Sequence, residues 1–225
     1  LLPKFIYLKN IFFQSMPISI SICGYALASA IIFTYVGQSG EYAVAGYGVG
    51  TRIEQVVLLP ILGINTAIIS IIAQNYGANN VNRIKETYFT AIKYAFIIMI
   101  TAGTLVFLSA NIITSFFSSD PEVIEYGKRY LRISAFVLPA YPVFFLSNGF
   151  FMALKKSENA MISNLFRNVM NPIVVFYIAK YFNASFDTFF WTWVGINWFF
   201  SISYFFIILY YFKSRLDKSS AVVHP

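Results

Sequence analysis

Six apolar stretches divide the chain, separated by short polar or basic segments. They run over Ile11–Val36, Ile53–Ala73, Thr90–Phe117, Leu131–Leu154, Met161–Tyr181 and Phe189–Phe212. Each reaches the about 20 mostly apolar residues that an α-helix needs to cross a bilayer. The pattern predicts an all-α membrane protein: a lead-in over residues 1–10, a unit of six transmembrane helices over residues 11–212 and a polar tail over residues 213–225. Four spans contain proline: Pro17 in the first, Pro60 in the second, Pro139 and Pro142 in the fourth, Pro172 in the fifth. In lipid a proline frees a backbone carbonyl that neighbours or water must satisfy. Kinked helices around an internal cavity are expected.

Asp120-Pro121-Glu122 has the form of a helix start, with Asp as cap, Pro at the first position and Glu in the first turn. It predicts a short helix over Pro121–Arg132 at one membrane face, leading into the fourth span. Basic residues sort by loop. Lys4, Lys9, Arg83, Lys85, Lys155, Lys156, Lys213, Arg215 and Lys218 fall on one side; Arg52, Lys128, Arg129, Arg132 and Lys180 fall on the other, near six acids. The first side is expected in the cytoplasm, with both chain ends.

Composition sharpens this picture. Of 225 residues, 58% are hydrophobic and only 11% charged, against about 25% charged in soluble domains. The formal charge of +7 is spread over span ends and makes no patch for nucleic acid. A single cysteine, Cys23, excludes a disulfide framework within the chain. The first residues, Leu1-Leu2-Pro3, include no Met, as expected of a piece of a longer protein.

Candidate chemistry centres on Gly46–Arg83. A glycine-rich segment, expected as a turn or a close helix contact, leads into a span carrying Arg52 and Glu54 near its start. Charges at that position are costly in lipid and predict a cavity or a protein interface. Asn65, eleven residues after Glu54, shares its helical face. Glu54 is either a functional acid or the partner of Arg52. The fifth span carries Asn164, Arg167, Asn168 and Asn171 at i, i+3, i+4 and i+7, predicting one polar face, with Arg167 turned inward or snorkelling to the surface. The fourth carries Tyr141, Phe145, Asn148 and Met152 at similar spacing, either a surface for flat apolar ligands or plain packing. The only histidine, His224, lies in the tail, and no paired acids lie within a span. These absences argue against an enzyme.

Three separated stretches carry a resemblance. Gly48-Val49-Gly50-Thr51-Arg52-Ile53-Glu54, followed by Gln74-Asn75-Tyr76-Gly77-Ala78, resembles the eighth helix of multidrug and toxic compound extrusion (MATE) transporters. Ser119-Asp120-Pro121-Glu122-Val123 with Tyr130-Leu131-Arg132-Ile133 resembles the lead into their tenth. Gly149 to Leu154 and Arg167-Asn168 are similar to their tenth and eleventh, with Met152 where Gln is frequent. The resemblance implies one six-helix lobe of a twelve-helix MATE-type transporter, with a missing N-terminal six-helix lobe as partner. It implies export of organic cations and other drugs in exchange for protons or sodium, from a bacterial inner membrane, with no cofactor. Sodium-type members carry acids in their seventh and tenth helices. Ile11–Val36 and Leu131–Leu154 hold none, and Tyr25 stands near the expected place. Many bacterial members instead use an Asp in their first helix, so proton coupling in the missing lobe, with Glu54 as the local candidate, is the first expectation and sodium the second. The cavity candidates are Tyr141, Phe145, Asn148, Asn164, Asn168 and Asn171; the coupling or gating candidates are Arg52, Glu54, Asn65 and Arg167. Two other readings stand beside this one: a lipid or polysaccharide-precursor flippase of the same superfamily, and a non-transporting half-protein.

Overall fold

A computed structural model describes the backbone of residues 5–216 and the side chains from Cys23 to Ser214, with a few before them. Residues 1–4 of the lead-in and the tail beyond residue 216, with Lys4, Lys218 and His224, lie outside the described residues; residues 5–10 of the lead-in belong to the first helix. Everything regular among the described residues is helical: α1 (Phe5–Gly37), α2 (Glu41–Gly77), α3 (Val81–Phe117), α4 (Pro121–Ser134), α5 (Tyr141–Ala153), α6 (Ser157–Leu165), α7 (Asn171–Tyr181) and α8 (Phe186–Tyr211). By length and composition, Glu41–Gly77, Val81–Phe117, Pro121–Ala153 and Phe186–Ser214 can each cross a bilayer. Side chains such as Leu108 and Phe116 on α3 are 71% and 86% exposed.

Several helices begin earlier than hydropathy suggests, α2 and α3 most of all. α2 starts at Glu41, so Gly46, Gly48 and Gly50 lie within a helix and form no turn. The turn is one step back, at Gly40, whose φ of 101° suits glycine. The helical glycines instead admit α4. A Cβ on Gly46 would stand 2.7 Å from the Gly127 amide nitrogen, and one on Gly50 2.2 Å from the Tyr130 ring. α3 starts at Val81, with the Asn80 side chain accepting from the Arg83 amide at 3.2 Å. Its first turns are polar and carry the Arg83–Glu86 pair at 2.9 Å, so an apolar window passes over them.

The fourth and fifth spans are not continuous α-helices. α4 is the expected short helix, with Asp120 accepting from the amides of Glu122 and Val123 at 2.9 and 3.3 Å. It ends at Ser134, and a 3-10 turn at Leu138–Ala140 intervenes before α5. α6 and α7 are joined by a π-helical turn at Phe166–Met170. Helix connectivity puts the loops at 78–80 and 154–156 at one end of the bundle and those at 38–40, 118–120 and 182–185 at the other.

The core has two parts. One, towards the loop at 38–40, gathers Tyr35, Tyr47, Tyr130, Phe189 and Phe190. The other gathers Tyr88, Phe150, Phe151, Tyr204 and Phe212. Phe145 packs against both.

Candidate functional site

A cavity of about 480 Å³ opens between α1, α2, α4, α5, α8 and the π turn, bordered by Tyr25, Tyr47, Glu54, Tyr141, Arg167 and Trp193. Glu54 is the carboxylate on its wall among the described residues. Two phenols hold it: Tyr141 donates to Oε1 at 2.5 Å, and Tyr130 donates to Oε2. Both bonds are charge-assisted while the acid is ionised. The break after Ser134 makes this possible. A continuous helix would put Tyr130 and Tyr141 about three turns, or roughly 16 Å, apart along its axis; the break folds both back onto one residue of α2. Gly50 is the notch that seats the Tyr130 ring, and Tyr47 packs edge-on against it at 4.9 Å.

Arg167 faces the cavity from the π turn and does not snorkel. Its Nε donates to Asn197 Oδ1 at 3.2 Å, and Asn197 is itself fixed by donating to the Trp193 carbonyl at 2.9 Å. The guanidinium lies over three rings: Phe144 at 4.2 Å, Tyr141 at 4.7 Å and Phe145 at 5.7 Å. Among the described residues it makes no ion pair within 4.0 Å. Such cation–π contacts strengthen when desolvated. Arg52 is exposed on the cavity wall and does not pair with Glu54 among the described residues. The wall thus carries one acid and two guanidinium groups.

The structure sorts the other candidates. Tyr141, Phe145 and Asn168 line the cavity. Asn148 and Asn164 do not. Asn148 donates to Asn164 at 3.4 Å and accepts from Tyr204 at 3.1 Å, in a separate polar cluster. Met152 is exposed and does not line the cavity. Asn65 shares the helix face of Glu54 but lies beyond the cavity, its Oδ1 2.0 Å from where a Cβ on Gly149 would stand. Asn171 is fully buried away from the wall. Neither Asn65 Oδ1 nor the Asn171 amide has a partner among the described residues. The predicted polar stripe of the fifth span therefore splits. The i→i+5 turn slips the register, so Asn164 and Arg167 serve different neighbours. Tyr130, Tyr47, Trp193 and Asn197 were not anticipated as site residues. Asn197, an isolated amide in an aromatic span, was the available signal. Among the described residues no cluster of three or more His, Cys, Asp or Glu could hold a metal ion.

This arrangement meets its relatives at the level of family. The MatE family profile matches residues 17–178, more than half of the chain. The chain belongs to the MatE family. Among curated members, it is similar to a FAD transporter of Shewanella oneidensis, 24% identical over 158 residues, which are 70% of this chain and 35% of that protein. It is also similar to the multidrug export protein MepA of Staphylococcus haemolyticus, 23% identical over 178 residues, 79% of this chain and 39% of that one. Among solved structures, a MATE protein in complex with MaL6 superposes with a TM-score of 0.87 at 23% identity, over 96% of this chain and 49% of that chain. A MOP superfamily transporter from Pyrococcus furiosus, described as having a binding pocket of reversed polarity, superposes at 0.85 and 24%, over 96% and 48%. This MatE chain thus spans a little over a third of those curated relatives and about half of the solved transporters.

Proposed function

We propose that these residues form one lobe of a proton-coupled multidrug exporter, facing an N-terminal six-helix lobe across the cavity. The observation that carries the reading is a carboxylate held by two buried phenols on the wall of an aromatic cavity. Ionised Glu54 accepts both phenols and offers an organic cation a counter-charge. Protonated Glu54 becomes a donor at one oxygen, so one buried phenol loses its acceptor, and the cation loses its counter-charge. Proton and cation then compete for one acid, as antiport requires. The tie between α2, α4 and α5 loosens at the same step, which biases alternation between inward- and outward-facing states. No cofactor enters the scheme; a proton gradient, with sodium second, drives it. The protein would sit in a bacterial inner membrane with both ends in the cytoplasm. In the complete transporter, Glu54→Gln is expected to abolish pH-driven ethidium efflux at an unchanged membrane level. Efflux at the wild-type rate would remove Glu54 from the mechanism.

Arg52 and Arg167 on the same wall favour a second reading, a flippase for an anionic lipid or polysaccharide precursor. It expects no efflux of organic cations in that experiment.

A further inference from the structure

A second, smaller cavity of about 280 Å³ lies between α6 and α8 and shares a wall residue with the first: Arg167. The three rings beneath its guanidinium divide between the two spaces. Tyr141 and Phe145 border the large cavity, and Phe144 borders the small one. Ser163, Ser203 and Tyr204, all with hydroxyl oxygens, also border the small cavity.

We propose that Arg167 is a tethered stand-in for the cargo and sets the selectivity of the cavity for cations. The inference rests on the reading of the large cavity as a ligand site. In the unloaded lobe the guanidinium occupies the faces of Tyr141 and Phe145, the surfaces that a planar organic cation would use. An arriving cation competes with it for those rings and for the field of Glu54. Displaced, the guanidinium moves towards the small cavity, keeps its contact with Phe144, and finds hydroxyl acceptors there. A neutral aromatic ligand gains little from the cation–π faces and does not need the exchange. Asn197 anchors the resting position through Nε.

The test uses the full-length protein in lipid nanodiscs and two probes with one ring system, pyren-1-ylmethylammonium and pyren-1-ylmethanol, read by fluorescence anisotropy. Arg167→Gln is expected to tighten binding of the ammonium probe by about threefold to tenfold, the worth of a partly desolvated cation–π contact, and to leave the alcohol unchanged. Ser203→Ala, which removes a hydroxyl acceptor of the small cavity and no charge, is expected to weaken only the ammonium probe, because only the displaced guanidinium uses that acceptor. Equal or weaker ammonium binding by Arg167→Gln overturns the proposal. So does an inert Ser203→Ala, since simple charge repulsion would then explain the first variant. If Arg167→Gln does not fold, Asn197→Ala takes its place, with tighter ammonium binding expected and an unchanged affinity counting against. Binding of neither probe to the wild type overturns the ligand site itself, and this inference with it.

Discussion

At the scale of single residues, space decides more than polarity. Gly48 and Gly50 stand two positions apart on α2, yet a Cβ on Gly50 meets the Tyr130 ring at 2.2 Å while one on Gly48 meets nothing within 4 Å. Gly50→Ala must therefore push Tyr130 away from Glu54. It is expected to cost about 1–3 kcal/mol, as overpacking does, and to slow proton-driven efflux. Gly48→Ala is expected to stabilise the helix by about 0.5–1 kcal/mol, the usual penalty of a helical glycine. Thermal unfolding of the two variants in detergent checks the pair, and equal melting temperatures would contradict the close contact. The glycine-rich segment was visible in the sequence. Which glycine is a notch was not, because the ring that fills it comes from 80 residues away.

At the scale of elements, α4 is the piece whose placement matters most. Its start was legible in Asp120-Pro121-Glu122, since capping is a local interaction between a side chain and the next few amides. Its far attachments were not: Arg129 reaches Asp187 at the start of α8 at 2.7 Å, and Tyr130 reaches Glu54 on α2. Asp120→Ala is expected to destabilise α4 by about 1 kcal/mol. Faster amide exchange confined to residues 121–134 is the expected signature; a uniform increase over all helices would mean that α4 is not an independently loosened element. The break after Ser134 and the π turn at Phe166–Met170 escaped the hydropathy pattern, because both keep apolar side chains on either side of the interruption.

At the scale of the whole molecule, the cavity is bounded by one lobe, while solved relatives of the same fold are about twice as long. A transporter that alternates needs a facing surface to close against. Residues 1–225 expressed alone are expected to insert stably but to give no ethidium efflux, and co-expression with a six-helix N-terminal lobe is expected to restore it. Efflux by the lobe alone would mean that two copies of this chain supply both faces.

The sequence by itself determined the apolar, all-α class, the cap of α4 and the family, because all of these depend on local composition and on short motifs. It also singled out Glu54, Arg167, Tyr141 and Phe145, since charge or aromatic patterning within lipid is conspicuous wherever it lies. Only the tertiary structure decided which of these meet. Asn65, Asn148, Asn164 and Asn171 had the same claim on paper as Asn168, and helical spacing could not separate them. The difference lies in a 3-10 break and a π turn that rotate one stretch of backbone against the next, and in glycines that let α4 close on α2. Those are long-range packing outcomes, set by partners distant in the chain.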